Sequence, residues 1–301
     1  MTFPLDRREG AVGGNGRVVR VGLAQVRFRS STQDFDARDT NLAQAIPAIR
    51  EAAGRGAKLV VIGELFLQGP GSREWGARYA TQPSLDDPHV AELAKLAAEL
   101  DVTIAMGCIA RGSFASGDAY NAALVVTPAG LAGVFRKCHL ANFPYEQGVS
   151  NELSFYSAGT DLSPIDTPAG RLGVHICYDI FFPEVARTQA LSGAEYMVNL
   201  AAAGETFEHY WDHLCWARAV ENGSWYLLCS VVGGSTERAY FGGSRIVAPD
   251  GEVVARARDY EEDILVADID LERSWSMRSG THMFSARQPA AYAAITQHRR
   301  T

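Results

Sequence analysis

The spacing of apolar residues changes period several times along the chain. Val18–Val26 (VVRVGLAQV) is rich in branched residues and reads as a first strand. In NLAQAIPAIREAAGRGA, Leu42, Ile46, Ile49 and Ala53 recur on one helical face, with Pro47 inside the pattern predicting a kink. Lys58–Leu65 (KLVVIGEL) is a continuous apolar run, the pattern of a strand covered on both faces. His89–Leu100 alternates at helical spacing, with Val90, Leu93, Leu96, Ala97 and Leu100 inward, and Val102–Ala110 reads as another strand.

The texture then changes to hairpins. Pro128-Ala-Gly130, Pro168-Ala-Gly170 and Pro249-Asp-Gly251 each interrupt two apolar runs with turn-forming residues. Between the last two turns the pattern predicts a helix near Pro183–Leu191, a strand Tyr196–Ala201, a helix near His209–Asn222 and a strand Trp225–Val232. A weak internal echo links REAAGRGAKLVVIGE to RTQALSGAEYMVNLA: helix, Gly-Ala turn, strand in both. Two such halves with hairpins between them predict an α/β chain built as a four-layer α-β-β-α sandwich in a single domain. Residues 1–17, charged and glycine-rich, are expected to be a flexible tail, 18–275 the domain, and 276–301 an extension at a subunit interface.

Composition narrows the class. Of 301 residues, 47% are hydrophobic, enough for a large core, yet no run of 18 apolar residues suggests a membrane span. The first residues lack the apolar stretch of a secretory signal. A net charge of −7 argues against nucleic acid and anionic membrane surfaces as partners. The five cysteines are odd in number, widely spaced and form no CxxC pair. A reducing, cytoplasmic setting without disulfides is expected.

Three polar residues in apolar surroundings carry the candidate chemistry. Cys177 ends the strand in GVHICYDIFFPE just before a helix start, where unpaired backbone N–H groups lower a thiol pKa and offer an oxyanion site. A lone buried cysteine is more often inert. His175, two residues earlier on the same strand face, would sit about 7 Å to the side rather than in front. His209 and His213 have metal-pair spacing around Asp212 but lack the glutamate of HExxH, and read better as a helix flank. Glu64 closes one apolar run and Lys137 lies inside another, and each is costly there unless paired or functional. The three could satisfy one another: lysine neutralises glutamate and steadies an attacked carbonyl, while glutamate takes the thiol proton. A structural ion pair beside an inert cysteine fits the same spacing.

Together these segments resemble the nitrilase superfamily of carbon–nitrogen hydrolases. LVVIGELFLQG is similar to its glutamate motif, VFRKCHL to its lysine motif and GVHICYDIFFPEVAR to its cysteine motif. YNAALVVTPAG, RAVEN, GGSRIVAPDGEVV and VRVGLAQV extend the likeness over about residues 18–270. The resemblance implies the α-β-β-α sandwich, with Cys177 as nucleophile, Glu64 as general base and Lys137 as the cation facing the tetrahedral intermediate. It implies the Tyr178 N–H as an oxyanion donor, a thioester intermediate, no metal or organic cofactor, and a homodimer or larger homo-oligomer. A second glutamate common in the family is matched by Glu152 in NELSFYSAGTD, with Glu146 in PYEQG as competitor. Gly63 stands where members usually carry proline, and Gly69-Pro70 where Gly-Tyr is common; both departures are expected near the pocket entrance.

The branch follows from the same comparison. Nitrile-cleaving members typically carry Cys-Trp-Glu, whereas Cys177-Tyr178-Asp179 resembles amidase and carbamoylase branches. A small-molecule amide is therefore the expected substrate, an N-carbamoyl amine or amino acid the alternative, with a nitrilase or non-catalytic scaffold behind them. Asp179 is expected to order the turn. Phe181 cannot fork a carboxylate as an arginine would, so a neutral, apolar or aromatic substrate tail is expected. Ala201–Trp211, including Ala202 and Glu205, is expected to line the pocket, where Glu205 or Glu208 could attract a cationic amine.

Overall fold

In the computed structural model, residues 17–112, 118–145, 148–204, 207–234 and 239–297 are described. β1 (Val18–Gln25) leads into α1 (Arg38–Gly54), which returns the chain to β2 (Leu59–Ile62). The one-turn α2 (Gly76–Tyr79) precedes α3 (Pro88–Leu100), β3 (Thr103–Arg111), β4 (Ala119–Thr127) and β5 (Gly130–Arg136). β6 (Asn142–Tyr145) and β7 (Gly148–Asn151) form a ribbon, and β8 (Ile165–Thr167) pairs with β9 (Gly170–Ile176). α4 (Pro183–Leu191), β10 (Tyr196–Ala201), α5 (Glu208–Asn222) and β11 (Tyr226–Ser230) alternate. Two short pairs follow, β12 (Val232–Gly234) with β13 (Ala239–Phe241) and β14 (Arg245–Val247) with β15 (Val253–Arg256); then come β16 (Asp263–Asp270) and α6 (Leu271–Thr281).

Two six-stranded sheets result, in the orders β16-β1-β2-β3-β4-β5 and β15-β14-β11-β10-β9-β8. Each has a parallel centre crossed by helices: β1, β2 and β3 with α1 and α3, and β9, β10 and β11 with α4 and α5. The echo in the sequence is this repeated crossover, α1 into β2 and α4 into β10.

Alternation within the strands separates the layers. In β2, Leu59 and Val61 join Val21, Leu23, Val174, Val198 and Leu227 in the core between the sheets, whereas Val60 and Ile62 pack toward α1 and α3. A third core joins Met197, Tyr226 and Leu228 to Trp211, Cys215 and Ala219 of α5. Three cores between four layers make the expected sandwich. α3 starts where Asp87 accepts hydrogen bonds from the N–H groups of His89 and Val90, with Pro88 in the first turn.

Details differ from the sequence reading. α1 is assigned unbroken through Pro47. Lys137 is the first residue past β5 rather than inside it. The expected strand Trp225–Val232 divides between β11 and β12, and β16, which pairs antiparallel with β1, was not foreseen. Residues 1–16 lie outside the described residues, while Arg17 bonds Glu195 at 2.6 Å. No helix among the described residues is long and apolar enough to cross a membrane.

Candidate active site

Glu64 stands on the loop after β2, where close packing requires glycine before it, at Gly63, and beside it on β3, at Gly107. A Cβ on Gly63 would lie 2.7 Å from the Val231 nitrogen, and one on Gly107 would lie 2.3 Å from the Gly63 oxygen and 2.6 Å from Glu64 Cα. Gly63 is thus buried between the sheets, not at the pocket entrance as expected. The Glu64 N–H donates to the Ala201 carbonyl at 3.2 Å, tying this loop to the opposite sheet. Beyond it, Gln68 donates to the Tyr79 and Ile109 carbonyls and accepts from the Ile109 N–H at 2.7 Å. Gly69 has φ +85°, and a Cβ there would stand 2.2 Å from the Arg29 oxygen. That clash accounts for the glycine of the Gly69-Pro70 departure.

Lys137, Glu64 and Glu152 form a buried ionic cluster. Lys137 Nζ donates to Glu64 Oε1 at 2.7 Å and lies 2.9 Å from Glu152 Oε2. Asn121 Nδ2 bridges the same carboxylates, at 2.7 Å to Glu64 Oε1 and 3.2 Å to Glu152 Oε1. The Ala141 N–H donates to Glu152 Oε2 at 2.7 Å. Burial alone would lower the Lys137 pKa, but the carboxylates of Glu152 and Glu64 overcome it and hold the ammonium above its ordinary value. Burial likewise opposes ionisation of Glu152, yet Lys137 and Arg73 keep its pKa below the usual carboxylate value. Both hydrogen bonds to Glu64 fall on Oε1, so among the described residues Oε2 is uncommitted.

Cys177 opens a 3-10 turn, Cys177–Phe181, with φ +44°, a left-handed conformation unfavourable for a residue bearing a Cβ. Two side chains hold it there. Asn199 Oδ1 accepts the Cys177 N–H at 2.9 Å, and Asn199 Nδ2 donates to the Tyr226 hydroxyl, which meets His175 Nδ1 at 3.0 Å. Asp179 Oδ2 accepts the Ile176 N–H at 3.0 Å, and its Oδ1 accepts the His139 N–H at 2.9 Å. Asp179 therefore orders the turn, as expected. The amide of Cys177 itself, read from sequence as an open donor, is consumed by Asn199. The Tyr178 N–H follows it in the first turn, where no carbonyl of the turn reaches it.

Burial pushes the Cys177 thiol pKa well up; Glu64 adds to the rise, while Lys137 and a hydrogen bond from the Ala202 N–H oppose it. The resting group is a thiol, so attack needs a base that removes its proton in the same event. His175 is not that base: it is fully buried, and burial lowers its pKa to about 4.

One cavity gathers Glu64, Lys137, Glu152, Cys177, Tyr178, Phe181 and Ala202. Its aromatic wall runs Phe143, Tyr178, Phe181 and Phe207, with successive ring centroids 5.0, 5.3 and 6.4 Å apart. Glu205 and Glu146 lie outside the described residues. His209 tilts against Tyr210, Asp212 pairs with Arg245, and no group of three or more metal-ligating side chains occurs among the described residues.

Sequence reasoning missed Asn121, Asn199 and Arg73. The two asparagines carried a usable signal, since each is polar in an apolar strand. Arg73, which also lines the cavity, carried none, being an arginine in a loop, whereas Trp211 closes the Ala201–Trp211 stretch expected to line the pocket and does line it. Arg73 alters the expectation of a neutral substrate tail that rested on Phe181.

The fold and this constellation place the chain among known proteins. The carbon–nitrogen hydrolase family profile matches residues 20–279, and the chain belongs to that family. It is 30% identical to N-carbamoylputrescine amidase of Oryza sativa subsp. japonica, over 94% of this chain and 97% of that one. It is 31% identical to an omega-amidase of Homo sapiens, over 91% and 96%. Among solved structures it is similar to Saccharomyces cerevisiae Nit3, a member of branch 10 of the nitrilase superfamily, at 28% identity and TM-score 0.78, covering 90% of this chain and 96% of that one. It is an amidase-type carbon–nitrogen hydrolase of the nitrilase superfamily.

Proposed function

We propose that the chain hydrolyses a small amide through a Cys177 thioester, with Glu64 as base and acid. Cys177 Sγ attacks the amide carbon while Glu64 Oε2 takes the thiol proton. The carbonyl oxygen becomes an oxyanion facing Lys137 Nζ and the Tyr178 N–H. Collapse breaks the C–N bond as Glu64 returns its proton to nitrogen, and ammonia or an amine leaves. Water then attacks the thioester, Glu64 takes its proton, and the sulfur departs and is reprotonated. Glu152 holds Lys137 in place throughout. Phe181 and Ala202 flank the substrate, and Glu205, in the Ala201–Trp211 stretch, belongs to the same lining by sequence.

The supporting observation is the buried Glu64–Lys137–Glu152 cluster facing an unionised Cys177 in one cavity. Ammonia release from aliphatic amides, aromatic amides, carbamoyl amines and nitriles tests it, with Cys177→Ala as control. Wild type should release ammonia from at least one amide class and accumulate an acyl adduct on Cys177 visible by mass spectrometry. Release by Cys177→Ala, or none from any class by wild type, refutes it. The N-carbamoylputrescine amidase relative supports a second reading, an N-carbamoyl amidohydrolase, for which carbon dioxide accompanies ammonia.

The remaining features of this reading are a cytoplasmic enzyme, a homodimer or larger homo-oligomer, and neither nucleic acid nor membrane as partner. The region from 276 onward ends in a 3-10 stretch, Pro289–Thr296, whose Ile295 is 60% exposed. Its burial against a second copy is what light scattering of a chain truncated after residue 275 examines: loss of the oligomer is expected.

A further inference from the structure

Arg73 is a charged side chain with nothing to hold. It sits on a 3-10 turn, Arg73–Trp75, beyond the pinned loop that follows Glu64. The preceding Ser72 is fixed, its Oγ accepting the Ser31 N–H at 2.6 Å and donating to the Gln68 carbonyl. The guanidinium lines the cavity that contains Cys177, yet it has no hydrogen bond or ion pair with any described residue, and its Nε is buried without a partner. The nearest acids, Glu152 and Glu64, attract its charge but give it no hydrogen bond, being occupied chiefly by Lys137 and Asn121. Glu152 takes Lys137 and Asn121 on Oε1, and Ala141 with Lys137 on Oε2; Glu64 takes Lys137 and Asn121 on Oε1. An unpaired guanidinium half removed from water is unfavourable, and the group that relieves it is a planar anion matched to its fork. On the α5 side, Trp211 Nε1 is a second buried donor without a partner lining the same cavity. Two buried donors lining the cavity are thus without an acceptor among the described residues.

Resting on the amide-hydrolase reading, we propose that Arg73 is a specificity residue that binds a carboxylate carried by the substrate, so that the preferred amide is acid-bearing rather than neutral or cationic. Phe181, on the turn after Cys177, offers a carboxylate no charge. Arg73 supplies the fork from another loop.

The test compares amides that differ only in tail charge: succinamate, succinamide and β-alaninamide, and the corresponding series with one more methylene. In wild type, kcat/KM for the acid should exceed that for the neutral amide by about 10- to 100-fold at one of the two lengths, the worth of a charge-assisted bond. Arg73→Gln should collapse that ratio, chiefly through KM, and Arg73→Lys should restore part of it. A wild-type preference for the cationic or neutral tail overturns the proposal. So does an equal loss on all three tails in Arg73→Gln, which would assign Arg73 to the support of Glu152. If wild type cleaves none of the six, the hydrolase reading fails separately. Calorimetric binding of succinate and glutarate then decides: binding to wild type that Arg73→Gln loses sustains the carboxylate site, and no binding to wild type removes it.

Discussion

Replacing Lys137 by methionine keeps an unbranched apolar stem and deletes the ammonium. In the wild type that ammonium lies 2.7 Å from Glu64 and 2.9 Å from Glu152, and all three side chains are at most 3% exposed. Removing one partner of a buried ion pair costs about 3–5 kcal/mol, because the survivor keeps its desolvation penalty. Here two carboxylates lose one shared partner, which places the cost toward the upper figure. The deficit depends on pH. In the wild type Glu152 is held below its ordinary pKa, so its contribution is fully present above about pH 4.3 and fades only below that. In Lys137→Met the largest opposing charge is gone and burial raises the Glu152 pKa. The folded variant is then most stable where Glu152 is protonated and loses stability as pH rises through its new value. The gap between the proteins should be widest near pH 8 and narrow toward pH 5, by up to about 1.4 kcal/mol per pH unit for each proton taken up. Urea unfolding at pH 8, 6.5 and 5 measures it. A gap that stays constant, or is under about 1 kcal/mol at pH 8, refutes the reasoning. Turnover should fall about 10²- to 10³-fold and not recover at low pH, since the cation that meets the oxyanion is gone.

Two further substitutions probe the scaffold. Asn199→Ala removes the acceptor of the Cys177 N–H and the donor to Tyr226; it should cost about 1–3 kcal/mol of stability and lower kcat more than it raises KM, read by steady-state kinetics beside thermal melting. Gly107→Ala would set a methyl group 2.6 Å from Glu64 Cα; displacement of that carboxylate by a fraction of an ångström should cut kcat/KM by about 100-fold, and unchanged kinetics in a folded protein would show that the loop yields freely.

The layers were legible because their cause is local. Apolar runs such as LVVI and YMVNLA can be covered on both faces only inside a sandwich, and the turns at 128–130, 168–170 and 249–251 announced the hairpins. β16 was not legible: DILVADID carries three aspartates among eight residues, and its place in the sheet comes from pairing with β1. In the site, Glu64, Lys137 and Cys177 stood out as polar residues where burial is costly, and the family motifs ordered them. Arg73 could not stand out, since an arginine in a polar loop is ordinarily a surface residue. What distinguishes it is a buried Nε without a hydrogen-bond partner among the described residues, a property of the tertiary structure alone. The fate of the Cys177 amide was hidden for a similar reason, since its acceptor, Asn199, is one strand away.

The two sheets contribute unequally to the chemistry. Glu64 follows a strand of one sheet, Lys137 another strand of that sheet, and Cys177 a strand of the second. Neither sheet alone carries the Cys177 thiol together with Glu64, the base proposed for it. A chain still on its way through folding, or one whose sheets have parted, therefore exposes only an ordinary, sluggish cysteine. On the proposed mechanism, reactivity works as a coincidence detector for completed docking, and the same division protects Cys177 from oxidants and stray electrophiles until there is a closed cavity to receive a substrate.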